Sequence, residues 1–167
     1  MSRNDALIGS AAFFIIAPCT VAGLIPWLIT HWRQGDDAST TLTITGAILV
    51  LAGAAMLIDS FIRLAVADGT PAPLAPTKHL VVTGLYRFVR NPMYVAVTAI
   101  IFGQAIIFAS AALIAYGITI WFAFHFFILG REEPRLQRDY GEEYATYCAN
   151  VRRWIPRLTP WRRPKPE

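Results

Sequence analysis

Long apolar runs separated by short polar breaks constrain this chain more than any other feature. Residues 6–32 are almost continuously apolar, as are 42–67, and residues 93–130 hold enough apolar sequence for two more passes. A helix needs about 20 apolar residues to cross a hydrocarbon core of about 30 Å. Lipid leaves backbone groups without partners, so helices are the expected spanning form. Composition agrees, with 55% hydrophobic and only 16% charged residues. A soluble chain would hold about 45–50% apolar and about 25% charged residues. The reading is an all-α polytopic membrane protein: about four transmembrane helices (6–32, 42–67, 93–109, 111–130) and a tail (131–167), forming one domain over 1–167.

Several local signals refine the runs. Pro18 and Pro26 are expected to kink the first, with freed carbonyls satisfied by neighbouring helices. That stretch begins rather like a secretory leader, but it stays apolar to about Ile29, so a retained span is expected. Trp27, His31 and Trp32 suit an interfacial end. In the second run, Gly46, Ala47, Gly53, Ala54 and Ala55 would let another helix approach closely. Asp59 and Arg63 stand four apart near its end, as an anchoring ion pair or as part of a site. The break FASAA near Ala109 marks a tight hairpin between the third and fourth runs, with Gln104 and His125 as their internal polar residues.

Charge is unevenly placed. The net charge is +4, and nine of the fifteen Lys and Arg residues follow Leu129. With four spans and both termini cytoplasmic, the inner side receives Arg3, Arg63, Lys78, Arg87, Arg90 and the whole tail. The outer side receives Arg33 beside Asp36 and Asp37, an asymmetry that satisfies the positive-inside rule. The basic tail reads as a surface facing anionic membrane lipids, since no nucleic-acid motif accompanies it. Cys19 and Cys148 lack metal-ligand spacing and sit in dissimilar surroundings, so neither a metal site nor a disulfide is expected.

Two polar stretches carry the candidate chemistry. The first, KHLVVTGLYRFVRNPMY at 78–94, places Gly84, Tyr86, Arg90, Asn91, Pro92 and Tyr94 where the chain re-enters lipid. Polar groups there are expensive, which suggests a function, although a basic juxtamembrane anchor has the same composition. The second begins REEPRLQRDYGEEYATYCANVRRWIP at Arg131. Leu136, Tyr140, Tyr144, Tyr147 and Val151 recur at helical spacing, predicting a C-terminal amphipathic interfacial helix interrupted by Gly141. Glu132 and Glu133, read as the end of a membrane helix, oppose the helix dipole and call for a positive partner. Arg131, Arg135 or a cationic ligand would serve.

Together these stretches resemble the isoprenylcysteine carboxyl methyltransferase family, itself similar to the phospholipid N-methyltransferases. LVVTGLYRFVRNPMY is similar to the family's LVxxGxYxxxR(H/N)PxY. The tail follows its order of paired acids, aromatic-Gly, two tyrosines and Arg-Trp-Ile-Pro, and GTPAP at 69–73 resembles the linker of bacterial members. The resemblance implies a membrane-embedded enzyme that uses S-adenosyl-L-methionine without a Rossmann domain, and the chain has no strand followed by GxGxxG. By resemblance, Lys78, His79, Leu80, Val81, Tyr86, Asn91, Pro92, Met93 and Tyr94 hold the cofactor, with the tail folded over them. Arg90 is a candidate for its carboxylate, or for a lipid headgroup. Glu132 matches a family acid at the active site, with Glu133 beside it, and Arg131 is the nearest counterpart of a family arginine. Asn91 stands where eukaryotic members have His. The implied acceptor is a lipophilic substrate entering from the bilayer, either a carboxylate or a phospholipid or small-molecule amine. The implied location is a bacterial inner membrane.

Overall fold

The computed structural model describes residues 16–34, 39–68 and 80–162, and every regular element among them is helical. The order is α1 (Ile16–Thr30), α2 (Thr40–Asp68), a 3-10 turn (Gly84–Arg87), α3 (Pro92–Ile107), α4 (Ala111–Phe127) and α5 (Glu133–Asn150). The helix that begins with α2 and the one that begins with α4 are long and apolar enough to cross a membrane, while α1 and α3 are shorter apolar helices. The expected start of the first span at residue 6 lies outside the described residues, as do Lys78, His79 and the GTPAP linker.

The widened π-turns Thr20–Leu24 and Ile128–Glu132 end two residues before Pro26 and Pro134. A proline lacks the N–H for the i→i−4 bond, and its ring crowds that carbonyl; a wider turn relieves the crowding. The carbonyl that Pro26 leaves free belongs to Ala22, and Gln104 Nε2 of α3 donates to it at 2.6 Å. Tyr116 of α4 donates its hydroxyl to the neighbouring Val21 carbonyl at 2.9 Å. The carbonyl freed at Pro26 thus finds its partner on an adjacent helix, as expected.

Small residues set the main packing contact. A Cβ placed on Gly46 would lie 2.6 Å from the Gly103 carbonyl oxygen, and one on Gly53 would lie 2.9 Å from that of Ala96. Helices α2 and α3 thus meet backbone to backbone, as the small-residue run predicted. The buried face of α3 (Ala96, Val97, Ile101, Ala105) fills the centre, while Ile114, Ile118, Phe122 and Phe126 of α4 point outward. The hairpin falls where FASAA predicted it. Ala109 takes a left-handed φ of 46°, and Ser110 caps α4 by accepting from Leu113 N–H at 3.3 Å.

Two expectations about the tail need correction. The helix of the fourth run does not stop at Gly130, because α4 passes through the π-turn directly into α5 and helical turns continue to Gly141. Glu132 and Glu133 are consequently not at a helix terminus, and the dipole argument does not apply to them. Nor does the stripe of α5 lie free as an interfacial face: Tyr144, Tyr147 and Val151 are buried against Leu80, with Leu136, Tyr140 and Val82 alongside. Gly141 does break the helix, at φ 50° and ψ −122°.

Candidate functional site

The segment 80–94 and the tail interleave by backbone pairing. Arg90 N–H donates to the Arg152 carbonyl at 2.9 Å, Arg157 N–H to Phe88 at 2.8 Å and Trp161 N–H to Arg87 at 2.9 Å. Arg87 Nε returns a bond to the Trp161 carbonyl at 2.8 Å. Tyr147 donates its hydroxyl to the Tyr86 carbonyl at 2.6 Å. Buried backbone groups need partners, so the tail serves as the missing secondary structure of the 80–94 segment.

This pairing separates the two acids. Glu133 sits between two guanidiniums: Arg153 contacts it at 2.6 and 2.8 Å, and Arg90 Nη1 at 3.2 Å. Arg90 Nη1 also donates to Cys148 Sγ at 2.7 Å, while its Nε is buried with no hydrogen-bond partner among the described residues. A cavity of about 430 Å³ opens here, lined in part by Arg90, Glu133, Tyr144, Cys148 and Arg153. The Glu133 contact raises the Arg153 guanidinium further above its usual range. Trp154, next in the chain, donates Nε1–H to His125 Nδ1 at 3.2 Å, and His125 stacks on Trp121.

Glu132 faces the other way. Tyr94, in the first turn of α3, donates its hydroxyl to Glu132 Oε2 at 2.8 Å, and no salt bridge reaches Glu132 among the described residues. Glu132 lies beyond the apolar part of its helix, and desolvation pushes its carboxyl upward. The Tyr94 bond opposes this, Glu133 adds to it and Arg135 counters it. Tyr86 lies within the fields of Glu132 and Asp59. Its phenol is raised first by burial around the hydroxyl, then by those two acids.

Met93 follows Pro92, the proline that opens α3, and is half-buried. Asn91 precedes it at φ −121°, ψ 61°, outside helical space as a residue before proline must be, and its Nδ2 reaches the Arg153 carbonyl at 3.4 Å. Leu80 is buried in the α5 cluster and packs there, while Val81, next in the chain, is half-buried. Arg131 is exposed, and the guanidinium nearest Glu133 belongs to Arg153. Arg153, Tyr147 and Cys148 are not among the site residues expected from sequence. The RRW run was the available signal, but nothing local indicates that it returns 20 residues along the chain to Glu133.

Asp59 and Arg63 pair as their spacing predicted, with Nε 2.9 and 2.8 Å from the two carboxylate oxygens. They lie against the Gly84–Arg87 turn rather than in open interface. Asp59 accepts from the Leu85 backbone N–H, and the Arg63 guanidinium covers Gly84. Cys19 and Cys148 are both free, and no group of His, Cys, Asp and Glu among the described residues is arranged to hold a metal.

The residues present suit a sulfonium cofactor with a carboxylate tail. A fixed cation needs a desolvated anion that no guanidinium already holds, and Glu132 is that group. A carboxylate needs a directed donor, and Arg90 Nε is a buried one without a partner. The sequence model of one family, described as phospholipid methyltransferase, matches residues 41–143, more than half of the chain. No curated protein matches it.

Proposed function

Because this chain belongs to the phospholipid methyltransferase family, we propose that it transfers a methyl group from S-adenosylmethionine to a lipophilic acceptor reaching the site from the bilayer. The observation that carries the reading is the desolvated Glu132 carboxylate, held by Tyr94, in no salt bridge among the described residues and within the field of Tyr86. When bound, the cofactor supplies an already activated methyl group. The protein's task is then to position donor and acceptor and to keep water out. Glu132 faces the positive sulfur, Tyr94 fixes that carboxylate, and Arg90 offers Nε to the cofactor's carboxylate. Glu133 instead locks the tail over the site through Arg153 and Arg90. Lys78 and His79, just before Leu80 in the chain, are further cofactor-binding candidates in this reading, with Leu80, Val81, Asn91, Pro92 and Met93.

Two acceptors are chemically consistent. A carboxylate of the prenylcysteine type needs no base, because transfer cancels a positive and a negative charge. A phospholipid amine, favoured by the family match, needs its proton removed, and Glu132 is the acid placed to take it. In both cases the chain sits in a membrane as four spans with both termini cytoplasmic; the bacterial inner membrane is the setting its motifs suggest.

The test is transfer of labelled methyl from S-adenosylmethionine in membranes containing the protein, followed by identification of the product. Label in a lipid amine that disappears with Glu132→Gln supports the amine reading. Label in a carboxyl ester, reduced but not abolished by the same change, supports the carboxylate reading. No label in lipid or protein would reject the enzyme in favour of a non-catalytic membrane protein.

A further inference from the structure

Asp59 and Arg63 are the only charged residues in Thr40–Leu64, a helix otherwise suited to lipid. An i, i+4 pair at a helix end normally needs no explanation beyond anchoring. Here it grips another element. Asp59 accepts from the Leu85 N–H, inside the Gly84–Arg87 turn. Gly84 holds a left-handed φ of 52°, and a Cβ built on it would overlap the Arg63 guanidinium, with Nε the nearest atom. The glycine thus serves two ends at once: it supplies the turn's backbone conformation and leaves a seat for Arg63. From the opposite side, Tyr147 holds the Tyr86 carbonyl at 2.6 Å. Tyr86 is therefore fixed between α2 and α5, within the fields of both Asp59 and Glu132.

We propose that Asp59 and Arg63 are positioning residues for methyl transfer, holding the Gly84–Arg87 turn so that Tyr86 stays against the Glu132 side of the cofactor site. This rests on the methyltransferase reading above. Neither residue touches the reacting groups; both act through the turn. The pair is about a third exposed, at 35% and 32%, so as a simple anchor it would add little stability. A positioning role shows itself differently, as a loss of binding or rate larger than the loss of stability.

The experiment uses the full chain in detergent or nanodiscs, with S-adenosylmethionine as the calorimetric probe and hydrogen exchange over residues 84–90 as a ligand-free readout. Asp59→Asn should weaken cofactor binding about tenfold, about 1.4 kcal/mol, while barely moving the thermal midpoint. It should also speed exchange at the Leu85 amide. Gly84→Ala should lose most binding, because the new methyl displaces the Arg63 guanidinium from its seat, and Arg63→Ala alone should weaken binding as Asp59→Asn does. Native affinity in Asp59→Asn or in Arg63→Ala would overturn the positioning role while leaving the proposed activity standing. Unchanged Leu85 exchange in Asp59→Asn would overturn the grip itself. No binding by the native protein would overturn the activity, and the positioning role with it.

Discussion

Glu132 and Glu133 are neighbours in the chain with opposite surroundings, and the difference assigns them different work. Glu133 has two guanidiniums on it, so removing its charge leaves Arg90 and Arg153 facing each other without a counter-charge. Glu133→Gln should cost about 2 kcal/mol, the scale of a charged hydrogen bond lost from a half-buried site, and should expose the tail after Arg152 to trypsin. Thermal unfolding and limited proteolysis check this. Glu132 behaves inversely. Its carboxyl is raised mainly by desolvation, so in the window above the ordinary carboxylate range the folded chain binds more protons than the unfolded one. Stability of the ligand-free protein should then fall as pH rises through that window, and Glu132→Gln should flatten the slope. Cofactor binding should follow the opposite sense, strengthening as Glu132 ionises, with that pH dependence absent in Glu132→Gln. Calorimetry across the weakly acidic range reads both.

At the scale of elements, the α2–α3 contact is set by glycines whose missing side chains admit the facing backbone. Gly103→Leu would drive a branched side chain into Val50 and the Gly46 carbonyl, 2.7 and 2.8 Å from the new Cβ. We expect a loss of about 2–3 kcal/mol, measured as a lower unfolding midpoint in detergent, with the Glu133 cluster unaffected. This contact was legible in the sequence because small residues at close spacing have a local meaning. So were the carbonyl freed at Pro26, the Ala109 hairpin, the Asp59–Arg63 pair and the stripe of α5. The continuity of α4 and α5 was not. Gly130, two acids and Pro134 in succession read as a helix end, whereas the π-turn absorbs Pro134 and carries the helix onward. The partners of Glu133 were equally hidden, because Arg153 meets it through a fold-back that leaves no periodic signature. Arg131, adjacent in sequence, was the natural local choice and is exposed.

At the scale of the whole molecule, apolar helices carry outward-facing Ile and Phe side chains, and one polar assembly is built from 80–94 and the tail. With Lys and Arg concentrated on that side, the assembly should face the cytoplasm. A C-terminal fluorescent protein should therefore fold and emit in a bacterial host, while a C-terminal alkaline phosphatase should stay inactive; the reverse pattern would contradict the four-span topology. The central claim is that 80–94 and the tail together form a site for S-adenosylmethionine, with Glu132 as its anion. Calorimetric titration of the purified native protein and of Glu132→Gln tests it most directly. The account predicts saturable binding by the native protein that falls about tenfold or more when a desolvated carboxylate facing the sulfonium is neutralised. Absence of native binding, or equal binding by both proteins, would contradict it.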